Sequence, residues 1–166
     1  MSTLPPGAPA DFYCADSLQP DQSIGLLIKR VMQSMLQQID RRLHEHDLTH
    51  AQWLPLYRLS KGECDTMAAL ARESSLDPGA MTRALDRLEA KGLLRRERSQ
   101  QDRRVIKLVL TDAGHAAAQL VPPVLAHVLN GHLAGFTEAE WLQLIHLLQR
   151  LLANGQAMHD AEKDAA

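Results

Sequence analysis

Apolar residues recur every three or four positions over most of the chain, which is the spacing of one face of an α-helix. The first such series predicts a helix over 22–46, longer than the average helix of a globular protein. Its members are Ile24, Leu27, Ile28, Val31, Met35, Ile39 and Leu43. The twenty residues before it contain four prolines and few aliphatic side chains, so an irregular arm is expected over 1–21.

Three shorter helices are predicted downstream. The first follows Thr49 as N-cap and ends at Gly62, and the second begins at Asp65 or Thr66. The third runs from Pro78 to Lys91, because Asp77 is a good N-cap and proline is favoured at the first helical position.

The apolar spacing then changes to that of β-strands. Residues 93–98 and 105–110 read as two short strands, and the polar run 99–104 between them reads as a hairpin loop.

Helical spacing returns after Thr111, an expected N-cap. Pro122 and Pro123 must kink or interrupt this region, and a last helix is predicted from Thr137 to Leu152. The residues from Asn154 onward read as a loose polar tail.

The composition excludes several classes of protein. A chain of 166 residues suits one domain with helical extensions, and two cysteines are too few for a disulfide scaffold. No apolar run approaches the roughly 18 residues of a membrane helix, and the N-terminus lacks the pattern of a signal peptide. We therefore expect a cytoplasmic protein without membrane contacts.

The net charge of −2 conceals an uneven distribution. Residues 83–107, the basic segment, contain nine basic and four acidic residues and carry +5. The rest of the chain has nine basic and sixteen acidic residues and carries −7. A cationic face on an acidic body is what a polyanion-binding protein needs, although a solvated helix face is the structural alternative.

The order helix, turn, helix, two-stranded hairpin is that of a winged helix-turn-helix, a mainly α fold with a small β-hairpin wing. Its second helix fits the major groove of double-stranded DNA, where base edges differ in donors and acceptors. Small residues in the first turn allow close approach, and the side chains that follow can reach bases or phosphates. The candidate contacts on this recognition helix are Pro78, Gly79, Ala80, Thr82, Arg83 and Arg87.

The segments 85–96 (LDRLEAKGLLRR) and 102–114 (DRRVIKLVLTDAG) resemble the MarR-type (multiple antibiotic resistance regulator) family of transcriptional regulators. The resemblance covers about residues 22–153 and is strongest over 66–114. It implies that Asp102 orients Arg104, with Arg103 beside it, and that the wing arginine enters the minor groove. An ion pair that only stabilises the hairpin is the structural alternative.

The resemblance also implies a homodimer that reads an inverted repeat. The last predicted helix agrees, because its apolar residues exceed the single stripe that a surface helix needs, although a central core helix of a monomer would look the same. The expected organisation is an arm over 1–21, a winged DNA-binding domain over 49–111, a tail over 154–166, and a dimerisation region over 22–48 and 112–153.

Many members of that family are released from DNA by a small aromatic acid bound between the dimerisation helices and the winged domain. Arg30 is a possible carboxylate partner through a bidentate pair. The other candidates for the effector site are Ser34, His50, Trp53 and Tyr57. Structural alternatives are a solvated Arg30 and a core Trp53.

Other chemistry is weakly indicated. His44, His46 and His50 do not share one helical face, so a solvated cluster is favoured over a metal site, and no cofactor is expected. Cys14 and Cys64 have acidic neighbours, which disfavours a redox-sensing thiolate. No catalytic motif is present, so an enzyme is not expected. The alternatives that stay open are a non-specific architectural DNA-binding protein, a redox-sensing regulator, and a winged module that has lost its DNA contacts.

Overall fold

The computed structural model describes residues 11–62, 64–74, 77–98 and 105–164. In these ranges it contains seven α-helices and one antiparallel hairpin, which confirms the predicted fold class. The elements are α1 (Ile24–His44), α2 (His50–Ser60), α3 (Met67–Ser74), α4 (Pro78–Ala90), β1 (Leu94–Arg98), β2 (Ile106–Leu110), α5 (Asp112–Gln119), α6 (Val121–His132) and α7 (Glu138–Asp164). The chain divides after Leu125 into two compact units, which are described separately. None of the described helices is long and apolar enough to cross a membrane.

The core of the first unit lies between α2, α3, α4 and the hairpin. Helix α4 contributes one complete apolar face, since Met81, Ala84, Leu85 and Leu88 are all buried at spacings of three and four. The C-terminal half of α1 joins this core through Ile39 and Leu43.

The hairpin is fixed at its base by a buried pair, Leu94 opposite Leu110, and its last pair is Arg98 opposite Ile106. Burial decreases along β1 from this base, since Leu94 is buried and Glu97 and Arg98 are exposed. The strand register therefore places the Arg98–Ile106 end of the two strands away from the core.

The double proline interrupts the helical region as predicted, but the break precedes the prolines. Helix α5 ends at Gln119 and α6 begins at Val121, so Pro122 and Pro123 lie in the first turn of α6. In a first turn the backbone N–H groups have no helical acceptor, so proline costs nothing there.

The second unit contains a correction. Helix α7 continues for 27 residues to Asp164, so the predicted end at Leu152 and the loose tail from Asn154 are wrong. The apolar spacing ends near Leu152, but seven of the twelve residues from 153 to 164 are alanine, glutamine, methionine, glutamate or lysine, which favour helix without any buried face. Thr137 caps α7 as expected, since its Oγ1 accepts from the Glu140 backbone N–H at 3.3 Å.

Candidate nucleic-acid interface

Helix α4 presents a basic face opposite its buried one. Arg83 and Arg87 are exposed one turn apart, while Ala84 and Leu88 beside them are buried in the core. Two guanidinium groups on the outward face of a helix suit phosphate and base-edge recognition. The structure therefore brings these two predicted residues together on one accessible surface.

The first turn of α4 has small side chains and an N-cap. The Asp77 carboxylate caps it by accepting from the Ala80 N–H at 2.9 Å, and Pro78 and Gly79 are exposed. A Cβ on Gly79 would lie 3.1 Å from Asp77 Oδ1 and 3.5 Å from an Arg83 guanidinium nitrogen. The missing side chain thus leaves room for the cap and for Arg83.

Thr82 has a more limited role than its sequence position suggests. Its hydroxyl donates to the Pro78 carbonyl at 2.9 Å and lies 3.3 Å from the Met67 sulfur. Because the hydroxyl proton is used in the hydrogen bond to Pro78, Thr82 can contact a base through its methyl group or through a lone pair of its hydroxyl oxygen.

Several cations of the basic segment are committed to ion pairs within the protein. Arg96 on β1 bridges Asp86 and Glu89 of α4, and its contact to Asp86 is 2.6 Å. Burial opposes the charge on Arg96, but the two carboxylates outweigh it and raise the pKa of the guanidinium further. The other paired cations are Lys91 with Asp47, Arg95 with Glu97 and Lys107 with Asp65.

Arg83, Arg87 and Arg98 are exposed and have no ion-pair partner in the part of the chain that the structure describes. The net charge of the segment therefore does not show that its cations fall into two groups, those paired within the protein and those that are not. The paired cations stabilise contacts within the protein, and these three remain accessible to a polyanion.

The predicted wing contacts Asp102, Arg103 and Arg104 lie outside the described residues. Their orientation stays a prediction from the family resemblance.

The five candidates for an effector site differ in accessibility. Arg30 and Ser34 lie on the exposed first half of α1. Trp53 is 4% exposed and donates from Nε1 to Asp40 Oδ1 at 3.0 Å. His50 packs edge-to-face on Trp53, with ring centroids 5.2 Å apart, and the ring of half-buried Tyr57 lies under the Lys61 amino group.

A cleft of about 390 Å³ opens where α1 meets α2, lined by Gln37, Asp40, Arg41, His44, Leu48, Thr49 and His50. Of the five candidates, His50 contributes to its lining. The Asp40 carboxylate, 3.8 Å from His50 Nδ1, was missed by the sequence reasoning. Its spacing of four residues from His44 was the available signal.

The described residues contain no group of three His, Cys, Asp or Glu side chains arranged to hold a metal ion. Cys14 is exposed, Cys64 is buried, and both are free thiols.

Comparison with known proteins places these features in context. A profile described as the MarR family matches residues 48–106, which contain α2 to β1. The transcriptional repressor MdtR of Bacillus subtilis is 32% identical over 151 residues, covering 90% of this chain and 93% of MdtR. The crystal structure of the transcriptional regulator PA3341 is similar, with a TM-score of 0.74, 31% identity, and coverage of 81% of this chain and 99% of that one. The reduced form of MarR from E. coli matches with a TM-score of 0.69 and 29% identity, covering 78% and 96% of the two chains.

Proposed function

Because the chain belongs to the MarR family of DNA-binding transcriptional regulators, whose members are not enzymes, we propose that it is a homodimeric repressor of transcription. It binds an inverted repeat in double-stranded DNA and is released by a small aromatic acid. The observation that carries the proposal is the exposed pair Arg83 and Arg87 on the face of α4 opposite the core. Repression is supported by the similarity to MdtR, which is named as a repressor.

Arg83 and Arg87 are assigned different tasks. Arg83 follows the narrow first turn and is the better placed to read a base edge, whereas Arg87 is one turn farther on and suits a phosphate.

The test starts by selecting a preferred duplex from random DNA and measuring binding by fluorescence anisotropy at several salt concentrations. Arg83→Ala should relax the base preference, at a cost of about 1–3 kcal/mol on the preferred duplex. Arg87→Ala should weaken all duplexes alike and reduce the salt slope by about 0.9.

The architectural alternative predicts a different result. A protein of that kind would enrich no sequence in the selection and would show only a salt-dependent affinity. Enrichment of an inverted repeat supports the proposal, and the absence of any enriched sequence overturns it.

The wing is assigned to the minor groove through Arg104, with Asp102 and Arg103 in support. Arg104→Ala should weaken binding of the preferred duplex by about tenfold or more while the protein stays a folded dimer. Unchanged affinity would remove the wing from the mechanism.

Dimerisation is supported by apolar side chains that the single chain leaves exposed. The first half of α1 exposes Ile24, Leu27, Ile28, Val31 and Met32. Helix α7 exposes Trp141, Leu142, Leu144, Ile145, Leu147, Leu148, Leu151, Leu152 and Met158. Surfaces of this kind are normally covered by a partner, and a second copy of the chain would cover both.

The effector site is proposed at α1 and α2, with Arg30 as the carboxylate partner and Ser34, His50, Trp53 and Tyr57 around it. The cleft beside His50 supports an opening that a ligand can enter, and Arg30 is exposed on α1 outside the lining of that cleft. Calorimetry with 2-hydroxybenzoate, 4-hydroxybenzoate and benzoate should show binding that Arg30→Ala removes. If none of these acids binds, or if Arg30→Ala leaves binding intact, the assignment fails.

A further inference from the structure

Lys91 belongs to the basic segment, yet its ammonium group contacts acceptors of the protein itself at the surface. It follows the last residue of α4, and its Nζ contacts the Asp47 backbone carbonyl, Asp47 Oδ2 at 2.8 Å and Gln52 Oε1 at 3.4 Å. An ammonium has three donors, so these contacts account for its full capacity. All three acceptors belong to the connection between α1 and α2 or to the first turn of α2.

Asp47 has an unusual backbone conformation at this contact. Its φ of +57° lies in the left-handed region, which is costly for a residue with a side chain. The Asp47 side chain is 87% exposed, so packing does not hold it. The N–H groups of Asp47 and Leu48 close this turn by donating to the carbonyls of His44 and Leu43. Lys91 adds contacts to the Asp47 carbonyl and carboxylate and thereby ties the closed turn to the end of α4.

Gln52 ties the same contact to the start of α2. It is 3% exposed, and its Oε1 also accepts from the backbone N–H and hydroxyl of Thr49, both at 3.2 Å. The capping box of α2 and the end of α4 therefore share one oxygen atom, through a side chain fixed in the core.

We propose that Lys91 is a positioning residue for DNA recognition, which holds the C-terminal end of α4 against the α1–α2 turn through Asp47 and Gln52 and does not pair with DNA phosphate. The proposal rests on the proposed DNA-binding function. A DNA phosphate could bind the Lys91 ammonium group only by displacing the contacts that its donors already make. Arg83 must meet a base edge with hydrogen-bond precision, so a small tilt of α4 reduces the affinity for the preferred duplex more than that for other DNA.

Neutralising each charge of the pair separates a positioning role of Lys91 from a direct contact with DNA. Lys91→Met removes a cation near the DNA, whereas Asp47→Asn removes an anion and keeps a residue that tolerates positive φ. Through long-range electrostatics alone these variants would shift DNA affinity in opposite directions. Through positioning they shift it in the same direction.

The experiment measures anisotropy of both variants, of the double variant and of Arg87→Ala, on the preferred duplex and on a scrambled duplex over a range of salt. It is run at a temperature where circular dichroism shows all variants folded. We expect Lys91→Met and Asp47→Asn each to weaken the preferred duplex by about three- to tenfold, with the double variant no worse than Lys91→Met. The scrambled duplex and the salt slope should not change, while Arg87→Ala lowers the slope by about 0.9.

Two outcomes overturn the positioning role. A salt slope that falls by about one in Lys91→Met, with both duplexes weakened and Asp47→Asn binding more tightly, would make Lys91 a phosphate contact. Wild-type affinity in both variants would make the contact irrelevant to DNA binding. A wild-type chain that binds neither duplex would overturn the proposed function itself, which the wild-type titration alone reveals.

Discussion

At the scale of single residues, Gly114 is the glycine of the described residues whose Cβ position has the closest obstacle. A Cβ built there would lie 1.8 Å from the Leu93 carbonyl oxygen and 3.3 Å from a methyl carbon of Leu110. The obstacle is backbone, which cannot turn aside as a flexible side chain can. Glycine is required here because the first turn of α5 lies directly against the base of the hairpin.

The replacement Gly114→Ala should lower the free energy of unfolding by about 3 kcal/mol, the upper part of the usual range for overpacking. Urea unfolding followed by circular dichroism measures it. Gly155→Ala in α7 is the matched control, since no atom lies within 4 Å of its Cβ position. Alanine there should stabilise the helix by roughly 0.5–1 kcal/mol. Equal effects of the two substitutions would contradict the close approach at Gly114.

The carboxylate of Asp47 gives a prediction in pH. The hydrogen bond and charge of Lys91 lower the pKa of Asp47 below its ordinary 3.8. Because the folded pKa lies below the unfolded one, this contact contributes stability above about pH 3.8, and the contribution is lost as the pH falls through the lowered pKa. In an NMR titration, Lys91→Met should raise the pKa of Asp47 toward the ordinary value. Glu140 is the internal control, because Thr137 lowers its pKa and Lys91 plays no part. An unchanged Asp47 titration would contradict the contact.

At the scale of elements, Arg96 joins the recognition helix to the wing. Its guanidinium bridges Asp86 and Glu89 on α4, and its backbone N–H donates to Glu89 Oε1 at 3.2 Å. The side chain is 28% exposed, so the pairs are partly shielded from solvent. Helix and strand are thereby fixed beside each other through charges that are paired within the protein.

Removal of this bridge should cost more than removal of the neighbouring exposed pair. We expect Arg96→Met to lower the free energy of unfolding by about 1–2 kcal/mol, because two carboxylates lose their shared partner. Arg95→Met breaks only the solvent-exposed pair with Glu97 and should cost about 0.5 kcal/mol or less. Denaturant unfolding of the two variants compares them directly. A larger loss in Arg95→Met would reverse the assignment.

Elements defined by local pattern were predictable from the sequence, and contacts between distant residues were not. Helix α4 was placed correctly because Asp77, Pro78 and its apolar spacing all act within a few residues. The partners of Lys91 lie 39 and 44 residues away, and no local rule connects them. Which cations of the basic segment form ion pairs within the protein was not predictable for the same reason.

The end of α7 was missed for a different reason. Periodicity detects a helix by its stripe of large apolar side chains, and among the residues of α7 beyond Leu152 only Met158 is large and apolar. Intrinsic propensity carries the helix on from Leu152, and it leaves no pattern of burial in the sequence.

At the scale of the whole molecule, α7 is exposed along its full length in the single chain. A helix with apolar residues on several sides is stable in water only when other surfaces cover it. The charge is also unevenly distributed, since the basic segment lies within the winged domain (49–111) and the rest of the chain is acidic. The acidic remainder disfavours contact with DNA outside the recognition surface.

Sedimentation velocity tests the proposed dimer. The wild-type chain should sediment as a dimer, and Leu148→Glu should shift it toward monomer by burying an unpaired carboxylate. Gln149→Glu places the same group on the next residue, where the side chain is already polar, and should leave the dimer in place. A monomeric wild-type protein would contradict the proposal, as would equal behaviour of the two variants.

The close approach at Gly114 also determines what can move independently. Thr111 Oγ1 donates to the Gly92 carbonyl at 2.7 Å and accepts from the Gly114 N–H, while the Thr111 N–H donates to the Leu93 carbonyl. The end of the recognition helix, the base of the wing and the start of α5 are thus fastened within a few residues. We expect these three elements to move as one body in each subunit of the proposed dimer, so that the distance between the two bodies determines which half-site spacing in the DNA is bound.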